Sequence, residues 1–443
     1  MKKLFGTDGI RGEANKYPLS PEGCAVLACA LAKKYCFGTF NQPIIMIGKD
    51  TRISGDMLEC ALAANFSSRG VRVCLMGVVP TPAVSISTKL HRADLGIMVS
   101  ASHNIFSDNG IKIFKTDGAK LNDQEEEEIE LLMEDHSLLS QYVPRTDVGS
   151  CSRTRSYLKC YKEKIYKTIS IDTAAAKKIK LVVDAANGSL YRLAPRIFRD
   201  FQFQIVCLNV APNGRNINEN SGVVNYRIMS EAVRKHGADF GIAFDGDGDR
   251  VIMFDSDGYP LDGDYALAIL SQAEDSTEIV STVMSNSAME QYLQSRHIKL
   301  TRTAVGDKYI AEYMQNNPEV KIGGEPSGHT IIRSHALTGD GLFTSLKLLE
   351  YAIGSGLSSI DLRRVFRPYP TVSSNIKVMD KSVLHQESVR NTMQSIEKRI
   401  NCRLIVRPSG TEPLIRIMAE GQDERLLSEA VDQLSQLLKD LGG

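Results

Sequence analysis

One stretch of the chain reads Ala238-Asp239-Phe240-Gly241-Ile242-Ala243-Phe244-Asp245-Gly246-Asp247-Gly248-Asp249-Arg250. Its first half is an apolar run typical of a buried strand, and its second half is a loop with three carboxylates at alternate positions. Such carboxylates repel one another and resist ionisation unless a cation lies among them. Their oxygens suit Mg²⁺, which needs few protein ligands and leaves places for water or phosphate. The stretch therefore predicts metal-assisted chemistry on a phosphate at the end of a strand.

Three other kinds of acidic or glycine-rich loop are alternatives to a metal-binding loop here. An EF-hand requires Gly at its sixth position and Glu at its twelfth, where this chain has Arg250 and Ser256. A dinucleotide-binding loop also follows a strand, but Asp247 and Asp249 would repel a pyrophosphate. An ordinary solvated turn also favours Asp-Gly pairs. Taken alone, the loop leaves this last alternative open.

The same pattern occurs once more, earlier in the chain. Ala93-Asp94-Leu95-Gly96-Ile97-Met98 resembles residues 238–243 and leads into Ser100-Ala101-Ser102-His103-Asn104. Equivalent strands in two duplicated domains would each carry a loop with reactive side chains at the carboxyl end. Open α/β sheets bind their ligands at that edge. The repeat therefore predicts that the serine loop and the acidic loop belong to one site.

Three further apolar runs, each leading into a polar or glycine-containing loop, predict three α/β units: residues 43–48, 180–184 and 278–283. From about Pro368 the order changes to strand, helix, two strands and a closing helix, which indicates a smaller α+β domain. One face of that last helix is predicted to hold Leu426, Leu427, Ala430, Leu434, Leu437 and Leu441.

The sequence thus predicts an α/β protein with three similar mixed-sheet α/β domains and a smaller C-terminal α+β domain around a central cleft. The expected bounds are 1–152 for domain I with the serine loop, 153–254 for domain II with the metal loop, 255–366 for domain III with a sugar-binding loop, and 367–443 for domain IV with a phosphate-binding loop.

Composition narrows the classes of function. The 443 residues carry 53 basic and 53 acidic side chains, which gives no bulk charge to attract nucleic acid or an anionic membrane. The first residues lack the apolar stretch of a signal peptide, and prolines interrupt the apolar run 73–84. The nine cysteines form no C-x-x-C pair, which favours free thiols. We expect a cytoplasmic protein that binds a small molecule, with a homodimer left open as its assembly.

Two glycine-rich segments could bind phosphate. Within Phe5–Gly12, Arg11 has the planar fork of donors that suits a phosphate, although a salt bridge with Asp8 explains the pair equally well. Within Arg407–Pro413, an arginine, two hydroxyls and a glycine form a phosphate cradle. A nucleotide triphosphate is not expected as the phosphoryl donor, because the sequence has no G-x-x-x-x-G-K-[ST] loop.

The segment Gly323–His329 combines an acid, a hydroxyl and an imidazole. Glu325 and Ser327 suit sugar hydroxyls, and His329 could exchange a proton with one near neutral pH; a satisfied structural histidine is the alternative. The adjacent Ser102 and His103 are not by themselves a hydrolase triad, and the sequence has no G-x-S-x-G elbow. A serine that itself carries phosphate could instead complete the coordination of the metal.

Taken in order, these five motifs resemble the α-D-phosphohexomutase superfamily over essentially the whole chain. Within it, residues 5–12 and Val305-Gly306-Asp307-Lys308-Tyr309 are most similar to the bacterial phosphoglucosamine mutases. The resemblance implies interconversion of glucosamine 6-phosphate and glucosamine 1-phosphate, feeding UDP-N-acetylglucosamine and cell-wall synthesis. It implies a phosphoserine, one Mg²⁺ per chain, and a sugar 1,6-bisphosphate as intermediate and activator. Phosphomannomutase or phosphoglucomutase activity, or a catalytically silent sugar-phosphate sensor, are the alternatives.

The resemblance also implies roles for individual residues. It makes Ser102 the phosphorylated serine and a metal ligand beside Asp245, Asp247 and Asp249. It places Arg11, Lys112 and His329 next to the transferring group and assigns binding of the substrate to Arg250, Glu325 and Ser327. It assigns binding of the phosphate that does not react to Arg407, Ser409, Gly410 and Thr411. Two departures from the family pattern stand out. Ile105 replaces a common proline, which would loosen the serine turn, and Asn220-Ser221-Gly222 replaces a cysteine-containing loop.

Overall fold

The computed structural model describes residues 4–36, 42–153, 156–378, 380–408 and 414–442. They form two compact units, one from Met1–Met284 with Leu293–Val365 and one from Ser285–Tyr292 with Phe366–Gly443. The first unit contains three sheets and the second contains one. None of the helices in the described part of the chain combines the length and apolar character that a membrane span requires.

The first sheet has seven strands in the order β1-β2-β6-β5-β3-β4-β7. They are β1 (Phe5–Gly6), β2 (Gly9–Glu13), β3 (Ile44–Lys49), β4 (Arg72–Val78), β5 (Leu95–Val99), β6 (Asp108–Lys115) and β7 (Cys151–Arg153). β3 runs parallel to β4 and to β5, and β6 pairs antiparallel with β5.

The second sheet has the order β12-β11-β10-β8-β9, and the third has the order β14-β13-β15-β16. Their strands are β8 (Lys180–Asp184), β9 (Gln204–Leu208), β10 (Phe240–Phe244), β11 (Val251–Phe254), β12 (Pro260–Leu261), β13 (Glu278–Thr282), β14 (Lys299–Thr303), β15 (Ile322–Gly324) and β16 (Thr330–Ile332).

The three sheets share one four-strand core. In each, a central strand (β3, β8 or β13) lies between two parallel neighbours, and one of these (β5, β10 or β15) continues through a loop into an antiparallel strand. The central strands are the three apolar runs singled out in the sequence. The equivalence of β5 and β10 is likewise confirmed. The predicted fold class of three similar α/β domains with a smaller α+β domain is therefore correct.

Helices cover the sheets of the first unit. They are α1 (Pro21–Leu31), α2 (Gly55–Ser67), α3 (Thr81–Leu90), α4 (Asp123–Glu134), α5 (Ser156–Thr168), α6 (Thr173–Ala176), α7 (Leu193–Asp200), α8 (Tyr226–His236), α9 (Gly263–Ala273), α11 (Asp307–Asn316), α12 (Gly341–Gly354) and α13 (Ser359–Arg363), while α10 (Ser287–Ser295) begins in the second unit. A π-helical turn spans Ala32–Cys36, and 3₁₀ turns span His136–Ser140 and Gly222–Val224.

Local sequence explains where α1 and α4 begin. The Ser20 side chain accepts a hydrogen bond from the Gly23 N–H, and Pro21 occupies the first helical position, where no N–H is needed. Asn122 and Glu125 form a capping box at the start of α4. Acidic side chains in the first turn of a helix are usually solvated, but in α4 Glu126 is buried and lies 3.1 Å from the Lys308 ammonium. Only the fold brings residue 308 to this helix, so the sequence pattern could not show the pair.

The second unit has a three-stranded antiparallel sheet in the order β17-β19-β18. Its elements are β17 (Thr371–Lys377), a 3₁₀ turn (Lys381–His385), α14 (Glu387–Ile400), β18 (Arg403–Pro408), β19 (Leu414–Glu420) and α15 (Glu424–Gly442). This is the predicted order of strand, helix, two strands and helix. On α15 the predicted Leu427 and Leu434 are buried, but Leu441, in the last turn of the helix, is 37% exposed.

Candidate active site

Three loops at the carboxyl ends of equivalent strands meet in the first unit. The Ser102 Oγ donates a hydrogen bond of 2.6 Å to Asp245 Oδ2, which joins the loop after β5 to the loop after β10. The Val251 N–H donates to the Gly328 carbonyl at 3.1 Å, which joins the acidic loop to the loop after β15. The structure thus brings together the serine loop, the acidic loop and the sugar-loop candidate, of which the first two are separated by 143 residues between Ser102 and Asp245.

The acidic loop gathers its carboxylates into one buried cluster. Asp245, Asp247 and Asp249 are at most 1% exposed, and one ligand atom from each lies within 4.8 Å of the others. The glycines are required by geometry. Gly248 has φ +73°, and a Cβ on Gly246 would lie 2.6 Å from the Ser102 carbonyl oxygen. The loop can therefore curl against the serine only with glycine at these positions.

Burial affects two of these acids in opposite ways. Burial raises the pKa of Asp245 well above its usual value, and the neighbouring carboxylates of Asp249 and Asp247 raise it further. Burial alone would also raise the pKa of Asp249, but Lys112 and His329 outweigh it and hold that pKa well below the usual range. The difference follows from the position of Lys112, whose Nζ lies 2.6 Å from Asp249 and 2.8 Å from Asp247.

The cluster fits a divalent cation. Asp247 Oδ1 and Asp249 Oδ1 are buried, and no described residue donates a hydrogen bond to either oxygen. An unpaired buried carboxylate oxygen is costly unless a cation binds it. Three carboxylates without a nitrogen or sulfur ligand form the donor set that Mg²⁺ prefers. The residues present therefore can hold a magnesium ion.

Ser102 lies next to the same cluster. It is fully buried with φ +52°, and its N–H donates to Ser100 Oγ at 2.9 Å. The adjacent His103 is mostly buried, and its Nδ1 has no hydrogen-bond partner among the residues described. Burial, together with the nearby Arg250 and Arg11, lowers the pKa of His103 to about 4. The imidazole is therefore neutral at pH 7.

Cationic side chains surround the serine and the acids. Lys112 is 1% exposed, and burial would lower its pKa, but Asp247, Asp249 and Asp8 raise that pKa well above the usual value. Arg11 forms an ion pair with Asp8, as the sequence allowed. Arg11 Nε and Arg250 Nε are buried N–H groups without an acceptor among the described residues. The two guanidinium groups thus keep buried donors that have no acceptor among the described residues, next to the cluster that holds Ser102 Oγ, which suits an anion such as a phosphoryl group.

Glu325 and His329 lie in the loop after β15 and are held there by backbone and side-chain contacts. Glu325 Oε1 accepts from the Gly306 N–H at 3.2 Å, and Ser327 Oγ donates to Glu325 Oε2 at 3.1 Å. The Gly339 N–H donates to His329 Nε2 at 3.0 Å, and Asp307 Oδ2 lies 3.3 Å from the same nitrogen. Burial would lower the pKa of His329, but Asp307 and Asp249 raise it. Nε2 can therefore accept from Gly339 when neutral and donate to Asp307 when protonated.

Several residues at this site gave no local signal in the sequence. Thr81, at the start of α3, donates from its hydroxyl to Asp247 Oδ2 at 2.5 Å. Lys120 pairs with both Asp8 and Asp307. Threonines and lysines are common at helix starts and turns, so their spacing predicts nothing. They become site residues only because distant segments meet here.

The predicted phosphate cradle lies in the second unit. Arg407 is near the end of β18, and burial together with Arg416 lowers its pKa. Ser409, Gly410 and Thr411 lie outside the described residues.

Comparison with known proteins gives matches along the chain. Models of the phosphoglucomutase/phosphomannomutase family match in order: α/β/α domain I at residues 2–139, domain II at 157–258, domain III at 262–369 and the C-terminal domain at 375–437. The chain is 40% identical to the phosphoglucosamine mutase of Paramagnetospirillum magneticum, with 100% of both chains covered. It is 42% identical to that of Maricaulis maris, covering 98% of this chain and 97% of the relative.

A solved structure has the same fold. The phosphoglucomutase/phosphomannomutase family protein of Burkholderia thailandensis superposes with a TM-score of 0.82 at 21% identity, covering 99% of this chain and 98% of the other. The match supports an α/β architecture of four domains, which the family models also match one by one.

Proposed function

The chain belongs to the phosphoglucosamine mutase family of the phosphohexomutase superfamily, and from this premise we propose that it interconverts glucosamine 6-phosphate and glucosamine 1-phosphate through a phosphorylated Ser102. One observation carries the mechanism. The Ser102 hydroxyl lies 2.6 Å from an aspartate of a buried three-carboxylate cluster, and Lys112 and Arg250 lie against carboxylates of that cluster. A phosphoryl group on Ser102 would therefore lie between the metal ligands and the cations.

Ser102 carries the phosphoryl group, and its surroundings stabilise the charge. Asp245, Asp247 and Asp249 would hold one Mg²⁺ together with the phosphorylated Ser102. When bound, this ion would supply positive charge that stabilises the negative charge of the phosphoryl group. Lys112 stays protonated because three carboxylates surround it. It therefore contributes positive charge rather than acting as a base.

Arg11 and Arg250 donate hydrogen bonds and positive charge to the phosphoryl group that is transferred. Their buried Nε–H groups have no acceptor within the part of the chain that the structure describes, and donors fixed in advance stabilise charge that develops during transfer. Burial would lower the pKa of both guanidinium groups, but carboxylates raise it, with Asp8 the main one for Arg11 and Asp249 for Arg250. Both therefore remain charged throughout the reaction.

Glu325 and Ser327 bind the sugar hydroxyls, and His329 exchanges the proton. In the first transfer, the Oγ–P bond of phospho-Ser102 breaks as the free sugar hydroxyl forms a new O–P bond, and the hydroxyl proton passes to His329. The product is a sugar 1,6-bisphosphate. In the second transfer the other phosphoryl group returns to Ser102 Oγ, and the proton returns to the sugar oxygen.

The non-reacting phosphate is assigned to Arg407, Ser409, Gly410 and Thr411. We also propose the domain boundaries 1–152, 153–254, 255–366 and 367–443, a cytoplasmic location and a homodimeric assembly. The nine cysteines, all in described segments and all free thiols, support a reducing compartment.

The test is a comparison of substrates on the purified protein. Rates with the 6-phosphates of glucosamine, glucose and mannose are measured with Mg²⁺ and a trace of the matching 1,6-bisphosphate. We expect the glucosamine compound to have the highest kcat/KM. Intact-protein mass spectrometry should detect one phosphoryl group that peptide mapping assigns to Ser102. A preference for glucose or mannose would replace the proposed substrate, and absence of turnover with all three would contradict mutase activity.

A further inference from the structure

The loop that carries Ser102 is held by a buried guanidinium. Arg52 follows β3, the central strand of the first sheet, and its side chain is fully buried. Its Nε–H donates to Asp50 Oδ2 at 2.8 Å. Its two terminal nitrogens donate to four backbone carbonyls of one loop: Ser102 at 3.0 Å, Asn104 at 2.7 Å, Asp108 at 3.0 Å, and Ile105.

These contacts use the whole hydrogen-bonding capacity of the side chain. A guanidinium has five N–H donors in a rigid planar fork, and each of the five from Arg52 has an acceptor. Arg52 therefore has no donor left for a substrate. A lysine in its place would offer three donors around a point charge and could not reproduce this geometry.

The same serine is fixed from its other side. Asp50 Oδ2 accepts from Ser100 Oγ at 2.7 Å, and Ser100 Oγ accepts from the Ser102 N–H at 2.9 Å. On the carbonyl side, Asn218 Nδ2 donates to Ser102 O and Asn104 O, each at 2.8 Å. Both peptide groups that flank the Ser102 side chain are thus pinned.

The fixed conformation is an uncommon one. Ser102 has φ +52°, a conformation that a residue with a Cβ rarely adopts unless its surroundings impose it. The hydrogen bonds of Arg52, Asn218 and Ser100 impose it here. In this conformation Ser102 Oγ is directed at Asp245.

We propose that Arg52 is a positioning residue for phosphoryl transfer: it clamps the carbonyls of the serine loop and so fixes the direction of Ser102 Oγ, without contacting the substrate. This rests on the proposed role of Ser102 as phosphoryl carrier. It also accounts for the tolerance of Ile105 where the family commonly has proline. The loop needs no proline ring, because the Ile105 carbonyl is held by the guanidinium.

The test compares Arg52→Lys with Arg69→Lys. Arg69 is a matched control, since it is also a buried arginine of the first domain that donates to backbone carbonyls, those of Asn65, Leu138 and Leu139, away from the serine loop. We expect R52K to lower kcat by about 10–100-fold with little change in KM, because misplacing a reacting atom by about 1 Å costs up to about 100-fold. R69K should lower the melting temperature similarly but keep kcat.

A second readout does not depend on activity. Hydrogen exchange across residues 100–108 should be faster in R52K than in the wild type and unchanged in R69K. Asn218→Gly, which keeps the positive φ of 58° accessible, should raise the same exchange and lower kcat by a smaller factor. If R52K does not fold, Asn218→Gly replaces it as the test variant.

The outcomes separate the two proposals. Wild-type kcat in R52K, or equal loss of kcat in R52K and R69K, would overturn the role of Arg52. Unchanged exchange in both R52K and N218G would also overturn it. A wild-type protein inactive on every hexose phosphate would instead refute the proposed function, and the exchange data would still decide whether Arg52 fixes the loop.

Discussion

The serine loop of domain I and the acidic loop of domain II occupy the same place in the same strand order, yet they are built differently. The acidic loop turns by means of glycine, with the positive φ at Gly248. The serine loop has its positive φ at Ser102 and is held by side chains from other segments. The two domains thus offer equivalent positions with different side chains: three carboxylates that suit a metal ion at one, and a serine hydroxyl at the other.

An aspartate at the end of the central strand in domains I and II shows the same contrast. Asp184, in domain II, accepts hydrogen bonds from the N–H groups of Ala186 and Gly222 and from Asn209. Asp50, in domain I, accepts from the N–H of Arg52, two residues on, and also from its guanidinium. The shared aspartate shapes a turn in both domains, but only in domain I does it also anchor an arginine.

The largest expected effect comes from removing the phosphoryl carrier. Ser102→Ala should lower mutase activity at least about 1000-fold, because no other side chain of the loop can take its part. The measurement is kcat/KM with glucosamine 6-phosphate, with circular dichroism to confirm the fold. Ser107→Ala, on the same loop but without a side-chain role at the site, should keep wild-type activity. Substantial turnover by S102A would remove the serine from the mechanism.

The acidic loop is tested through Asp247→Asn. Activity should fall at least about 100-fold, since even residues that only support a metal ligand commonly cost about 10–100-fold. Mg²⁺ should raise the melting temperature of the wild type but not of this variant, because only a protein that binds the ion is stabilised by it. Asp257→Asn, at an exposed position just beyond β11, is the control. An equal Mg²⁺ shift in wild type and D247N would contradict the metal site.

The two strand-end aspartates should differ in their contribution to stability. Asp50→Asn leaves the buried Arg52 without its counter-charge, which should lower the free energy of unfolding by about 3–5 kcal/mol. Asp184→Asn weakens hydrogen bonds that come only from neutral donors and should cost about 1–2 kcal/mol. Urea denaturation of both variants gives the comparison. Equal losses would mean that the arginine adds nothing to the domain I turn.

The smallest expected effect concerns His103 in the serine loop. Its folded-state pKa of about 4 lies below the ordinary 6.5, so the unfolded chain takes up a proton first as the pH falls. Stability from this group is complete above about pH 6.5 and is lost towards pH 4. When the pH is lowered from 7 to 5 in EDTA, the free energy of unfolding should fall by about 2 kcal/mol more in the wild type than in His103→Asn. Parallel pH curves for the two proteins would exclude a buried neutral imidazole.

Much of the fold was predictable because its strands are short apolar runs bounded by polar loops. The runs at 43–48, 180–184 and 278–283 are the central strands of three sheets. The position of the reactive loops followed from one rule, that ligands meet the carboxyl ends of parallel strands. Ser102 and the three aspartates were found in this way, and the structure brings them into contact.

The rest depended on contacts that no local pattern encodes. Arg52 lies 50 residues before Ser102, and Thr81 lies 166 residues before Asp247. Glu126 is buried against Lys308, although an acidic helix start is usually solvated. In each case a common residue type acquires its role from a segment far away in the chain, and one sequence gives no measure of that proximity.

The ammonium group of Lys112 has a consequence for how the protein is made. It lies 2.6 to 3.0 Å from carboxylates of Asp249, Asp247 and Asp8. A chain leaving the ribosome can therefore close this pocket around a charge of its own and need not meet a magnesium ion first. Folding of the chain and binding of magnesium are then separate events. A cell short of the metal would accumulate folded enzyme that becomes active when the metal binds.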